Sequence, residues 1–157
     1  MSGFANGRGK DMSKKVFAHI LVPYNGKSGS QKAFKKAVAL AQLAKSKITI
    51  FTCLEECSTF GLFKTKVNKQ DFEKECELAR QEHVKLEKYV TEFGVSSSFK
   101  IVKSNRASHA ILEFVDKHDV DLIIMGKTKL VTRYEKIHYQ NTIEVVFRNA
   151  KCPLLVI

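Results

Sequence analysis

The sequence of 157 residues has no apolar run near the length of about 18 residues that crosses a bilayer. Residues 1–10 carry charge but no continuous apolar segment, so they lack the pattern of a secretory signal. This length fits one domain with its own hydrophobic core. We therefore predict a cytoplasmic protein that does not act at a membrane. Residues 1–13 are predicted to form a flexible tail, and residues 14–157 one domain.

Cysteine and histidine are too few and too scattered to indicate a metal site. Cys53 and Cys57 form a C-x3-C pair, whereas common zinc and redox motifs have C-x2-C. The five histidines show no paired spacing of metal ligands. We expect reduced thiols, as is usual in the cytosol, and no bound metal.

Motifs of the common nucleotide-binding and hydrolytic enzymes are also missing. The chain has neither G-x4-G-K-[ST] nor G-x-G-x-x-G, and it has no G-x-S-x-G nucleophile motif. No serine or cysteine has a base partner that the sequence reveals. We therefore predict a protein that is not an enzyme. Weak ATP hydrolysis is a further hypothesis, which would require a catalytic base and metal ligands.

The net charge is +11, and most of the excess lies in the first third of the chain. Residues 1–50 contain ten basic residues and one acidic residue. Such a surface favours anionic partners, or it is simply a solvated lysine-rich surface. Because basic and aromatic residues are not interleaved and no DNA-binding motif occurs, we do not predict specific nucleic-acid binding.

Apolar strand-like segments alternate with helical patterns along the whole chain. Alternation of this kind predicts an α/β fold with an open, five-stranded parallel sheet, doubly wound and Rossmann-like. Residues 54–70 fit neither pattern and are predicted to be an irregular loop. The predicted strands are Val16–Val22, Ile48–Cys53, Ser98–Val102, Val120–Met125 and Leu154–Ile157, and the predicted helices are 28–46, 71–93, 107–118 and 141–150.

Two of these strands run directly into glycine-containing loops. Gly26 follows the first strand, and Gly126 follows the fourth. Ligands of open α/β sheets bind at the carboxyl ends of the strands, where the strand order reverses. Ser28 and Gln31 have the spacing of a capping box at a helix start, and helix N-termini favour anions. Together with basic residues after Gly126, such as Lys127, this arrangement predicts a phosphate site.

Several segments carry a family resemblance, and their order and spacing are more specific than any one of them. On these segments the chain resembles the universal stress protein family over roughly residues 14–157. The resemblance implies a five-stranded parallel sheet of the adenine nucleotide alpha hydrolase-like type and a homodimer paired through Leu154–Ile157. The matching segments are Ile20–Ser28, Ala37–Ala41, Asp121–Gly126 and Ala150–Ile157.

Members of this family that bind ATP have a pattern G-x2-G-x9-G-[ST] after the fourth strand, and an aspartate after the first strand's proline. Here Gly126 matches the first glycine, but Lys129 stands at the second. Gln140 and Asn141 stand near the third glycine and the hydroxyl residue, with one extra residue in the spacing. Asn25 replaces the aspartate. Lysine and glutamine side chains fill space that a phosphate would need, so the motif is degenerate.

The resemblance implies a stress-response binding or regulatory module with a degenerate crevice for ATP or AMP. The alternative is a nucleotide-independent homodimeric protein that docks an acidic partner through its basic surface. By the resemblance, the residues that would line the nucleotide crevice are Pro23, Asn25, Gly26, Cys53, Met125, Gly126, Lys129, Gln140 and Asn141.

Overall fold

A computed structural model describes residues 15–55, 57–60, 63–66, 68–127 and 133–157. The predicted tail, residues 1–13, lies outside the described residues. Five strands form one parallel sheet in the order β5-β2-β1-β6-β7, which confirms the predicted fold class. Its strands are β1 (His19–Pro23), β2 (Lys47–Glu55), β5 (Ser97–Ser104), β6 (Leu122–Met125) and β7 (Leu154–Val156).

Helices cover both faces of this sheet, which is why its central strands read as continuous apolar runs. One face packs Ile20 and Ile50 against α1 (Ser28–Ala44) and α2 (Lys69–Glu92). The opposite face packs Leu21 and Ile123 against two further helices. These helices are α3 (Ala107–Lys117) and α4 (Arg133–Asn149).

Asp121, just before β6, ties that strand to the start of β1. Its Oδ2 atom accepts hydrogen bonds from the backbone N–H groups of Ala18 and His19, both at 2.9 Å. These bonds hold β1 in register with β6, where Ile20 pairs with Leu122. The chain runs from β1 outward in one direction to β2 and β5, and later in the other direction to β6 and β7. The strand order therefore reverses between β1 and β6, as predicted.

Two predictions of local structure were wrong. The segment predicted to be irregular, residues 54–70, instead includes the end of β2, an antiparallel hairpin and the start of α2. The hairpin consists of β3 (Cys57–Phe60) and β4 (Phe63–Lys66). The last helix begins at Arg133 and not at Asn141, because a cap-like run of residues also occurs inside helices and does not by itself fix a boundary.

Among the described residues, no helix has both the length and the apolar character to cross a bilayer.

Candidate functional site

The loop after β1 is held by its own side chains. Gly26 has φ +78°, a left-handed conformation that glycine adopts without strain. The Asn25 side-chain oxygen accepts the N–H of Lys27 at 3.0 Å, and Gln31 donates its amide to the Gly26 carbonyl at 2.9 Å. The Ser30 hydroxyl donates to the Lys27 carbonyl at 2.8 Å. Asn25 therefore shapes the loop, which fixes the position of the first turn of α1.

No side chain caps the N-terminus of α1 within the described part of the chain. Its N-cap residue is Lys27, which makes no side-chain cap bond, so the predicted capping box at Ser28 was wrong. The reason is that Gln31, which would have completed the box, reaches back to Gly26 instead. The first turn also contains no acidic residue. An uncapped helix N-terminus with no nearby carboxylate in its first turn presents N–H groups and a positive dipole end to an anion.

Gly126 packs directly on this turn of α1. A Cβ atom built at position 126 would lie 1.9 Å from the carbonyl oxygen of Gly29 and 2.6 Å from the backbone nitrogen of Ser30. Glycine at 126 is thus required by a backbone–backbone contact within the protein. The contact fixes the end of β6 against α1 and closes the wall of the crevice at the strand-order reversal.

Two of the predicted crevice residues pack within the protein. Met125 is buried in the core beneath α3 and α4, and Cys53 packs against the same core. Burial raises the pKa of the Cys53 thiol to about 11, and the carboxylate of Glu55 adds to this shift. The thiol is therefore protonated at neutral pH and is a weak nucleophile. Pro23 ends β1 opposite Phe51 and is half-buried at the crevice edge.

The remaining predicted residues belong to the segment after β6. Lys129 lies outside the described residues. Gln140 and Asn141 lie within α4, two turns after its first residue, and their side chains are outside the described part. Backbone N–H groups at this depth in a helix bond to carbonyls four residues earlier. These two positions therefore do not offer free N–H groups in the way that a glycine-rich phosphate loop does.

A cavity of about 420 Å³ lies at the same edge of the sheet, on the face covered by α1 and α2. It shares Asn25 and Gly26 with the predicted site but extends along α2 to residues that the sequence did not point out. The α2 residues among them lie in the predicted helix 71–93, and no sequence motif marks them as a site. The cavity-lining residues used below are Tyr24, Thr52, Leu54, Leu78, Glu82 and His83.

Two hydrogen bonds, one partly buried and one buried, join α2 to residues at the ends of β1 and β2 beside this cavity. The Tyr24 hydroxyl donates to Glu82 Oε1 at 2.8 Å, and burial together with this carboxylate raises the pKa of Tyr24. Thr52 Oγ1 and His83 Nε2 are 2.8 Å apart. Burial lowers the pKa of His83, so its ring is neutral at pH 7. Among the described residues, no three metal-binding side chains come together.

The sequence model of the universal stress protein family matches residues 17–157. The chain belongs to the universal stress protein family. A curated family member from Methanocaldococcus jannaschii is 29% identical over an alignment of 146 residues, which covers 90% of this chain and 82% of that protein. The match extends from the start of β1 through the last strand, so the predicted resemblance is confirmed.

Solved structures of universal stress proteins have the same fold. UspA of Lactobacillus plantarum matches with a TM-score of 0.73 at 22% identity, covering 89% of this chain and 97% of that one. A family protein of Arabidopsis thaliana with AMP bound matches with a TM-score of 0.64 at 14% identity, covering 89% and 90%. Another universal stress protein structure, in complex with cAMP, matches with a TM-score of 0.68 at 16% identity, covering 90% of this chain and 97% of that one. The comparisons give no support to the alternative of a nucleotide-independent protein that docks an acidic partner.

Proposed function

We propose that this universal stress protein is a regulatory module that binds an adenine nucleoside monophosphate at the carboxyl edge of its sheet. The crevice between β1 and β6 is where ligands of this fold class bind. The observation that carries the proposal is the uncapped first turn of α1, which lies against Gly126 at this crevice. A phosphate placed there meets backbone N–H groups and the positive end of a helix dipole.

The segment after β6 supports a monophosphate over a triphosphate. Because α4 already begins at Arg133, the backbone at Gln140 and Asn141 is committed to the helix. One helix N-terminus suits one phosphate group, whereas a chain of three needs further donors. The similar structures with AMP and cAMP also carry a single phosphate. Pro23, Asn25 and Gly26 would then contact the nucleoside.

We infer a binding module and not an enzyme from the chemistry of the described side chains. The Cys53 thiol is held protonated by burial, and the His83 ring is neutral and bonded to Thr52. Cys53, Cys76 and Cys152 are free thiols, which supports our proposal that the protein acts in the reducing cytoplasm.

We also propose that two copies pair through β7. This strand forms one edge of the sheet, and its residues Leu155 and Val156 are 42% and 41% exposed. Large apolar side chains on an open edge strand favour pairing with another strand. A second copy would continue the sheet and bury them.

Calorimetric titration with AMP and with ATP tests the nucleotide proposal. We expect AMP to bind, and ATP to bind no more tightly than AMP. Replacing Ser28 with glutamate places a carboxylate in the first turn of α1, which competes with phosphate but favours the helix. Ser28→Glu should weaken AMP binding about tenfold without lowering the melting temperature.

Ala39→Glu is the matched control, because Ala39 is exposed on the same helix but lies beyond its first turns. It should bind AMP like the original protein. Equal AMP affinity in the Ser28→Glu variant would contradict phosphate binding at this turn. Absence of any AMP binding to the unsubstituted protein would overturn the proposed function.

A further inference from the structure

We propose that the groove between β5 and α3 is a second binding site, which takes a small carboxylate with an aromatic body. The groove has a volume of about 380 Å³, which is within the range of small-molecule pockets. Of the described residues, none lines both this groove and the cavity beside α2. None of the described residues of the predicted nucleotide crevice lines the groove either. The groove is therefore separate from the proposed nucleotide site.

The groove exists because α3 covers β2 but leaves part of the edge strand β5 open. Lys100, Val102 and Ser104 alternate along β5, so they share one face of the sheet, and all three line the groove. Lys100 is exposed, whereas its partner on β2 is Phe51, which is only 2% exposed. The open strip of β5 therefore forms the floor of the groove, and α3 forms its wall.

The inner part of the groove is apolar and aromatic. Val102 lines it from β5, and Ala110 and Phe114 line it from α3. The Phe114 ring is fixed on two sides, since its centroid lies 5.2 Å from that of Phe51 and 3.9 Å from that of His118, which stacks on it. A ligand ring that packs against this wall would bury apolar surface and form a further aromatic pair.

The rim of the groove is positively charged. Three lysines line it, together with one carboxylate, that of Glu113, which already pairs with Lys117. The ammonium group of Lys103 lies over the Phe72 ring of α2, 4.4 Å from its centroid. Lys100 makes no ion pair with any described residue. Its charge is thus available beside the apolar wall, where it would attract a carboxylate and repel an amine.

The probe 3-phenylpropionate combines an aromatic ring with a carboxylate. We would titrate it into isotope-labelled protein and follow the backbone amide signals by NMR. We expect shifts at Lys100, Val102 and Phe114, and none at Leu54 and Leu78, which line the cavity beside α2. The matched cation 3-phenylpropylamine, and propionate, which lacks the ring, should each bind at least about tenfold more weakly. Equal binding of the anion and the cation, or no shift at the groove residues up to about 10 mM probe, would overturn the proposal.

Lys100→Gln removes the charge from an exposed side chain, so it should not disturb the fold. It should weaken the binding of 3-phenylpropionate at least about threefold. Lys88→Gln is the matched control, because it makes the same change of charge at an exposed position of α2 that does not line the groove. A loss of affinity in the control as large as in Lys100→Gln would mean that the overall charge acts, which contradicts a specific site.

The two ligand proposals are tested independently. Saturating AMP should leave the dissociation constant of 3-phenylpropionate unchanged, since the groove and the crevice have different lining residues. Displacement of the probe by AMP would overturn the separation of the sites. If AMP does not bind at all, the proposed nucleotide function fails, and the shifts at the groove still decide the second site.

Discussion

The backbone of Gly126 rests on the backbone of Gly29, so that the end of β6 and the first turn of α1 touch with no side chain between them. The sequence suggested that Gly126 leaves room for a phosphate. In the structure that room is taken by α1 itself. The glycine thus fixes the helix N-terminus at the crevice, which is where we propose that the phosphate binds.

Gly126→Ala should therefore destabilise the protein, because the new methyl group would overlap main-chain atoms that cannot move independently. We expect a loss of about 3 kcal/mol in the free energy of unfolding, measured in urea. Gly94→Ala is the control. Position 94 has a left-handed backbone but open space around it, so about 1 kcal/mol of strain is expected there. Equal losses in the two variants would contradict the steric role of Gly126.

Two buried histidines predict that the folded protein becomes less stable in acid. Burial lowers the pKa of His19, with a smaller contribution from Lys47, and burial also lowers the pKa of His83. Between these lowered values and the ordinary value of 6.5, the unfolded chain binds more protons than the folded one. The free energy of unfolding should thus decrease as the pH falls through 6.5 toward the folded-state pKa values.

Urea unfolding at several pH values between 5 and 8 measures this dependence. The variants His19→Gln and His83→Gln should each flatten the curve, because each removes one proton that is taken up on unfolding. His109→Gln, at an exposed position on α3, should leave it unchanged. If both variants gave a pH dependence as steep as that of the unsubstituted protein, groups other than these two histidines would cause the acid sensitivity.

The bond between Thr52 and His83 predicts a sensitive position on β2. Thr52→Val keeps the shape of the side chain but leaves His83 Nε2 without its partner, at a cost of about 1–3 kcal/mol. Thr91→Val is the matched control, since the exposed Thr91 hydroxyl bonds to the Glu87 carbonyl of its own helix. We expect that change to remain within about 0.5 kcal/mol. Thermal unfolding of both variants would compare them.

The same pair illustrates what sequence patterns predict and what they do not. The strands were predictable because buried parallel strands are nearly continuous apolar runs. The partner of Thr52 was not, because His83 lies on a helix distant in sequence, and only the tertiary packing of α2 on β2 brings the two together. The sequence predicted the helix that contains His83, but no pattern in it indicated the cavity beside that residue.

The start of α4 shows a second limit of prediction from sequence patterns. The run that begins at Asn141 has the composition of a capped helix start, yet the helix already begins at Arg133. Cap patterns report local preference, and a longer helix that packs on the sheet overrides them. The phosphate loop that the family pattern suggests was therefore beyond what spacing alone could settle. The uncapped turn of α1 was not predicted either, because the sequence indicated a capping box at Ser28.

The exposed edge of β7 predicts how the protein assembles. Leu155→Lys places a charge on the edge strand, and charged edge strands resist pairing. If two copies pair there, the dimer dissociation constant should rise at least about tenfold, as measured by analytical ultracentrifugation. Leu43→Lys is the matched control, because Leu43 on α1 is 83% exposed and lies away from this edge. It should leave the association unchanged. A lysine buried at a strand–strand contact would carry an uncompensated charge, which costs stability. If the Leu155→Lys variant dimerises as tightly as the control, another surface must therefore join the two copies.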